Sequence, residues 1–319
     1  MVVLAGTITF SHAQSSTWQP ERPVEMVVPA GPGGAIDGAT RQIQRILQNN
    51  RIVHVPVVVV NKAGGGQTIA MNYLDQHVGD GHYLLNSTMS VMTNHILGRS
   101  KVNYTNYTPL AILYSEYMTL VVRSDSPLKT GRDIQEKLKG DPKSLSIAVG
   151  IAVGGTNHLT VALVMKAMGI DVKKLKTVVF QTTSDTTAAI MGGHVDLASM
   201  SAGNALRGVQ EGALRMIGIT SDQREAGSLA AIPTLKEQGF DVVFTNTRFT
   251  LGPRGMSPAQ TAYWDVTLAR LVQDSEWKSY LQKGHFVSDY LESKQSPQRL
   301  AKIYDQLKGA LVDAGLAKE

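Results

Sequence analysis

Two stretches of the chain combine small residues in a way that suits an anion. Gly31-Pro32-Gly33-Gly34-Ala35-Ile36 runs into Asp37, and Gly154-Gly155-Thr156 runs towards His158. A glycine loop that feeds a helix leaves backbone N–H groups unpaired at the positive end of the helix macrodipole, where a carboxylate, phosphate or sulfate is stabilised. The candidate contacts are Gly33, Gly34, Ala35 and Ile36 in the first loop, and Gly154, Gly155, Thr156 and His158 in the second. Two such loops facing each other across a cleft would suit a small ligand with two acidic ends. The competing reading is that the glycines only make tight β–α turns. Ser87 and Thr88 follow one short apolar run, and Ser201 and Asn204 follow another, so these four are further candidates. Arg248 is the odd charge in Val242-Val243-Phe244-Thr245-Asn246-Thr247-Arg248-Phe249. It faces either solvent or a cleft, where its planar fork would take a ligand carboxylate. His158 has two readings as well: ligand contact, or satisfaction of a neighbouring carbonyl. Asp37 reads as a helix cap rather than a catalytic acid.

Most other chemistries are missing. The chain has no cysteine, which removes thiolate catalysis, disulfides, Fe–S clusters and cysteine-ligated zinc. Gly31-Pro32-Gly33-Gly34 lacks the third glycine of a dinucleotide fingerprint, and no GxxxxGK[ST] occurs. Neither Ser87 nor Ser201 sits in a GxSxG elbow. The eight histidines form no HExxH and no close cluster. Asp185 and Asp196 have no carboxylate partner at a meaningful spacing. No cofactor, metal or enzymatic activity is expected. The 31 Lys and Arg against 26 Asp and Glu leave a net charge of +5, spread along the chain. No run resembles a nucleic-acid arm, so nucleic acid is not an expected partner.

The elements that must position these residues follow one recurring pattern. A short apolar run leads into a loop of small residues and then into a stretch with helical spacing. Val24 to Val28 precedes the first glycine loop, and Val55 to Val60 precedes Ala63-Gly64-Gly65-Gly66. Tyr83 to Leu85 leads into Asn86-Ser87-Thr88, Leu145 to Val149 into the second glycine loop, and Val195 to Ala198 into Ser199-Met200-Ser201. Strands alternating with helices predict an α/β fold of mostly parallel sheets covered on both faces. Ligands of such sheets bind outside the carboxyl ends of the strands, where the small-residue loops lie.

With 319 residues, of which 43% are hydrophobic and 18% charged, the chain is long enough for two modest domains. Leu120 to Arg123, followed by Ser124-Asp125-Ser126-Pro127, reads as a first crossing between lobes, and Val242 to Gly252 as the return. The expected division is a leader over 1–19, a first lobe of 20–121 plus 248–319, and a second lobe of 122–247. The stretch from Pro258 is helical, with Leu268, Leu271, Leu281, Leu300, Ile303 and Leu307 apolar. MVVLAGTITF followed by SHAQSS resembles the end of a secretory signal peptide, with a small-residue site at Ala13.

The ordered motifs then add a resemblance. Arg22-Pro23-Val24, Val27-Val28-Pro29, Pro32-Gly33-Gly34 and Asp37 come first. Val59-Val60-Asn61-Lys62-Ala63-Gly64-Gly65-Gly66 and Asp80-Gly81-His82-Tyr83-Leu84-Leu85 follow, then Gly155-Thr156-Asn157-His158-Leu159. Gly193-His194-Val195-Asp196, Thr220-Ser221-Asp222-Gln223-Arg224 and Ile232-Pro233-Thr234-Leu235 complete the series. In this order the chain resembles the periplasmic solute-binding (Bug) receptors of tripartite tricarboxylate transporters. The resemblance implies a two-lobed periplasmic-binding-protein (Venus-flytrap) fold without catalysis, export to the periplasm, and a small organic acid as ligand. It implies carboxylate contacts at Gly33 to Ile36 and Gly154 to His158, partly through ordered water, with Ser87-Thr88 as a further region. The expected partners are the small carboxylate and a membrane permease, to which the chain hands the ligand, or a sensor, to which the chain reports it, and the expected state is a monomer. Three departures bear on the ligand: Met200 replaces a common Asp, Gly155 a common Ser, and Arg248 an aromatic or small residue. Together they favour a purely anionic ligand over an amino acid. An enzyme on the same scaffold, or a cytosolic ligand-sensing domain, is the alternative.

Overall fold

The computed structural model describes residues 18–150, 153–180 and 182–318; the expected leader up to residue 17, with its site at Ala13, lies outside them. The first part of the chain alternates strands and helices. β1 (Val24–Val28), α1 (Ala35–Asn49), β2 (Val57–Asn61), α2 (Thr68–Asp75), β3 (Tyr83–Thr88) and α3 (Ser90–Ile96) follow in order. β1 lies between β2 and β3 and runs parallel to both. β4 (Thr108–Arg123) is the longest strand. A second alternating series comes next: α4 (Gly131–Gly140), β5 (Ser146–Gly150), α5 (Thr156–Ala167), β6 (Lys176–Phe180) and α6 (Thr183–Met191). It continues through β7 (Leu197–Ser201), α7 (Ala202–Gln210) and β8 (Leu214–Ile219). β5 lies between β6 and β7, again parallel to both. β9 (Thr245–Gly252) then returns, followed by α8 (Pro258–Gln273), α9 (Ser275–Gly284) and α10 (Ser296–Asp313).

β4 and β9 join the two parallel triplets. Thr108 to Tyr117 of β4 pairs antiparallel with β9, and β9 pairs with β3 on its other edge. From Met118 onward β4 changes partners, pairing with β7 and β8. The sheet order is β2-β1-β3-β9-β4-β7-β5-β6, with β8 on β4. The architecture is thus the expected α/β one, with parallel triplets; the antiparallel pairings all involve β4 or β9, since a strand that crosses and one that returns must run in opposite senses. Apolar side chains cover both faces, which is why β1 and β5 read as unbroken hydrophobic runs. On one face α1, α8 and α9 bury Ile43, Leu47, Trp264, Leu271 and Trp277 against Val24 and Met26. On the other face of the molecule's two halves, one shared cluster joins Leu85 to Ile147, with Leu300, Ile303 and Leu307 of α10 bridging them. Trp18 packs edge-on to His82 and Tyr263.

Local differences have local causes. Ser87 and Thr88 are not in a loop: pairing with Phe249 and Arg248 of β9 prolongs β3 through them. β4 extends twelve residues upstream of Leu120, since Thr108 has a partner in Gly252. β6 and β8 carry charged or exposed positions and give no clear apolar run. Among the described residues no helix is long and apolar enough to cross a membrane.

Candidate functional site

The two glycine loops fold in the same way. In each, a glycine at positive φ precedes a glycine N-cap: Gly33 (φ 85°) and Gly34 before α1, Gly154 (φ 82°) and Gly155 before α5. Only glycine takes that turn without a Cβ clash. In each, the third helical residue reaches back to the first glycine. Asp37 Oδ2 accepts from Gly33 N–H at 2.9 Å, and His158 Nδ1 accepts from Gly154 N–H at 3.0 Å. Asp37 also accepts from Arg41 Nε at 2.9 Å and Asn61 Nδ2 at 2.8 Å. The Arg41 guanidinium, opposed by burial and helped by those N–H donors, holds the Asp37 carboxyl at about 2. Asp37 therefore acts on the loop and is neither the N-cap nor a catalytic acid. A backbone N–H can only donate, so His158 presents a bare Nδ1, which is the neutral ring. Burial lowers its pKa in the same sense.

Neither α1 nor α5 has a side-chain cap, so the first-turn N–H groups of both remain open. The other helices of the second alternating series differ from α5. Ser201 caps α7, Thr182 caps α6 and Thr130 caps α4 through their own side chains. The uncapped pair borders one cleft of about 470 Å³ between the two triplets, within the size range of small-molecule sites.

Of the residues singled out in the sequence, Ala35, Thr88 and Arg248 line this cleft from the first half. Gly154, Gly155, Thr156, Ser201 and Asn204 line it from the second. The others are placed differently. Gly33 and Gly34 are exposed in the loop beside Ala35. Ile36 is buried on the inner face of α1 itself and Ser87 is buried on β3, where its Oγ donates to Gln67 Oε1 at 2.8 Å. His158 is buried, with Nδ1 turned to its own loop; it takes an N–H rather than serving a carbonyl.

Arg248 enters the cleft floor, but its fork already holds a carboxylate of the chain. Its Nη2 donates to Glu116 Oε1 at 2.7 Å and its Nη1 to Asn246 Oδ1 at 2.6 Å. The expected bidentate grip on a ligand is corrected accordingly: Glu116 takes that place, because it projects from β4 beside Arg248. The cleft does therefore contain an acidic side chain despite Met200, although a paired one. Glu116, Asn246, Met118, Asn94, Arg99 and Asn157 also line the cleft and were not candidates from the sequence. Asn246 was within reach, since it stands two residues from Arg248 and strand residues at i and i+2 share a face. Glu116 had no such signal, because its position follows from the register Glu116↔Asn246.

Residues 40–314 match the model of the tripartite tricarboxylate transporter family receptor. A protein of Cupriavidus necator, "UPF0065 protein in gbd 5'region", is 26% identical over 306 residues, covering 94% of this chain and 89% of its own. A solved TctC solute-binding protein from Polaromonas shares the fold with a TM-score of 0.79 at 23% identity, covering 92% of this chain and 98% of its own. Two proteins of Rhodopseudomonas palustris share it also. Rpa4515, solved with adipate, has a TM-score of 0.78 at 20% identity, covering 93% and 99%. MatC, solved with bound malate, has a TM-score of 0.72 at 20% identity, covering 94% and 100%. With the family model spanning most of its length, the chain belongs to the receptor family of the tripartite tricarboxylate transporters, as a solute-binding receptor and not an enzyme.

Proposed function

We propose that this receptor captures a small dicarboxylic acid, one per chain, with a carboxylate at each glycine loop. The observation that carries the reading is the pair of uncapped N-termini, α1 and α5, bordering one cleft. Each offers open N–H groups and a partial positive charge to an anion. The adipate and malate bound to two proteins of the same fold are both diacids, which is consistent with this chemistry.

The molecule divides into a first lobe of 20–121 plus 248–319 and a second of 122–247, with β4 and β9 as the connection. A ligand that touches both lobes stabilises their closed arrangement, since only there do both loops reach it. The receptor is exported to the periplasm by its leader, acts as a monomer, and delivers the acid to a permease of the tripartite tricarboxylate type or to a sensor. The test is calorimetric titration with mono-, di- and tricarboxylates, amino acids and sugars. A dicarboxylate should bind at one site per chain. Binding of amino acids or sugars alone would refute the reading.

A further inference from the structure

We propose that Asn246 is a ligand donor of the cleft and that Arg248, which also neutralises Glu116, orients it towards the ligand. A guanidinium carries donors and no acceptor. The Asn246 atom 2.6 Å from Arg248 Nη1 must therefore be its oxygen, Oδ1. Thr156 Oγ1 donates to the same oxygen at 3.4 Å. Both contacts fall on Oδ1, while Nδ2 makes no hydrogen bond among the described residues and the side chain lines the cleft. The amide is thus oriented by the chemistry of its neighbours, with its donor left over.

Glu116 completes the device. It stands directly opposite Asn246 in the β4–β9 register and holds the other arm of Arg248 at 2.7 Å. The string Glu116–Arg248–Asn246–Thr156 runs from β4 to the first residue of α5, beside the second glycine loop. A guanidinium already neutralised by Glu116 becomes, one bond further on, an oriented neutral N–H donor for an anion held at α5. Arg248 is a positioning residue and Asn246 the contact.

This inference rests on the cleft being an acid-binding site. It is tested with adipate and malate as probes, by titration calorimetry beside thermal melting. Asn246→Asp keeps the oxygen that faces Arg248 and replaces the donor by a second carboxylate oxygen. Its affinity should fall about tenfold to a hundredfold, the scale of a lost contact to a charged group. Its melting temperature should match or exceed wild type, because Arg248 gains an ionised partner. Arg248→Lys should lose less affinity. The double variant should bind no worse than Asn246→Asp alone, because the arginine acts through the amide. An Asn246→Asp protein that binds within about threefold of wild type, under 1 kcal/mol, overturns the inference. So do losses that add, or a fall in its melting temperature. A wild-type protein that binds none of the acid panel overturns the receptor's ligand class, and this inference with it.

Discussion

The Arg248–Glu116 pair should behave as a buried ion pair, and removing either partner alone should be costly. The guanidinium and carboxylate are 2.7 Å apart, with side chains only 12% and 9% exposed. Arg248→Ala leaves the Glu116 carboxylate with no cation. Glu116→Ala leaves a guanidinium whose remaining partner is a neutral amide oxygen and whose Nε is already unpartnered. Breaking a buried pair from one side costs about 3–5 kcal/mol, chiefly because the surviving charge stays desolvated. The double variant removes both charges, so its loss should fall short of the sum, with a coupling of about 1–3 kcal/mol. Urea denaturation of wild type, both single variants and the double, followed by circular dichroism, measures that coupling. Arg207–Glu211 is the internal control: it has nearly the same geometry, 2.8 Å, but its side chains are 86% and 48% exposed. Arg207→Ala should be nearly silent, since solvent screens the pair. The cycle also predicts an order of ligand affinity. Arg248→Ala should bind acids more weakly than the double variant, because a bare carboxylate then faces the anion. Additive losses at Arg248 and Glu116, or a single loss under about 1 kcal/mol, would place the pair with ordinary surface bridges and refute the argument from burial.

Stability should fall with acid through His158. Its folded pKa is lowered by burial, so the folded form binds fewer protons, and its contribution is present above the unfolded value of about 6.5 and lost as pH falls through the folded one. His158→Gln retains an acceptor for Gly154 N–H without titrating; denaturation curves from about pH 8 to about pH 5 should be flatter for the variant, and parallel curves would dismiss the role. Gly34→Val should fold normally, because Gly34 has an ordinary φ of −78° and no atom closer than 3.9 Å to the added Cβ. The branched side chain at the α1 N-cap should nevertheless weaken dicarboxylate binding; unchanged affinity in calorimetry would remove this loop from the site.

How much of the site was legible follows from how each residue is held. The glycine loops were readable because their geometry is local: positive φ, a glycine N-cap and an acceptor at the third helical position lie within five residues of one another. The placement of Ser87 and Ile36 was not, since the pairing of β3 with β9 and the packing of α1 on the sheet depend on segments far away in the chain. Arg248 was recognisable as anomalous, but its partner was not, because a charge in a strand meets whatever the neighbouring register brings to it.

The amino-acid sequence by itself determined the alternation of strands and helices, the two glycine loops that feed helices and the absence of cysteine, because periodicity, glycine and side-chain type act over a few residues. Only the tertiary structure decided that β4 continues through both triplets, that the two uncapped helices border one cleft, and that Glu116 neutralises Arg248. Those outcomes depend on pairings such as Glu116↔Asn246 and Thr88↔Arg248, which join positions more than a hundred residues apart and leave no pattern in either segment alone.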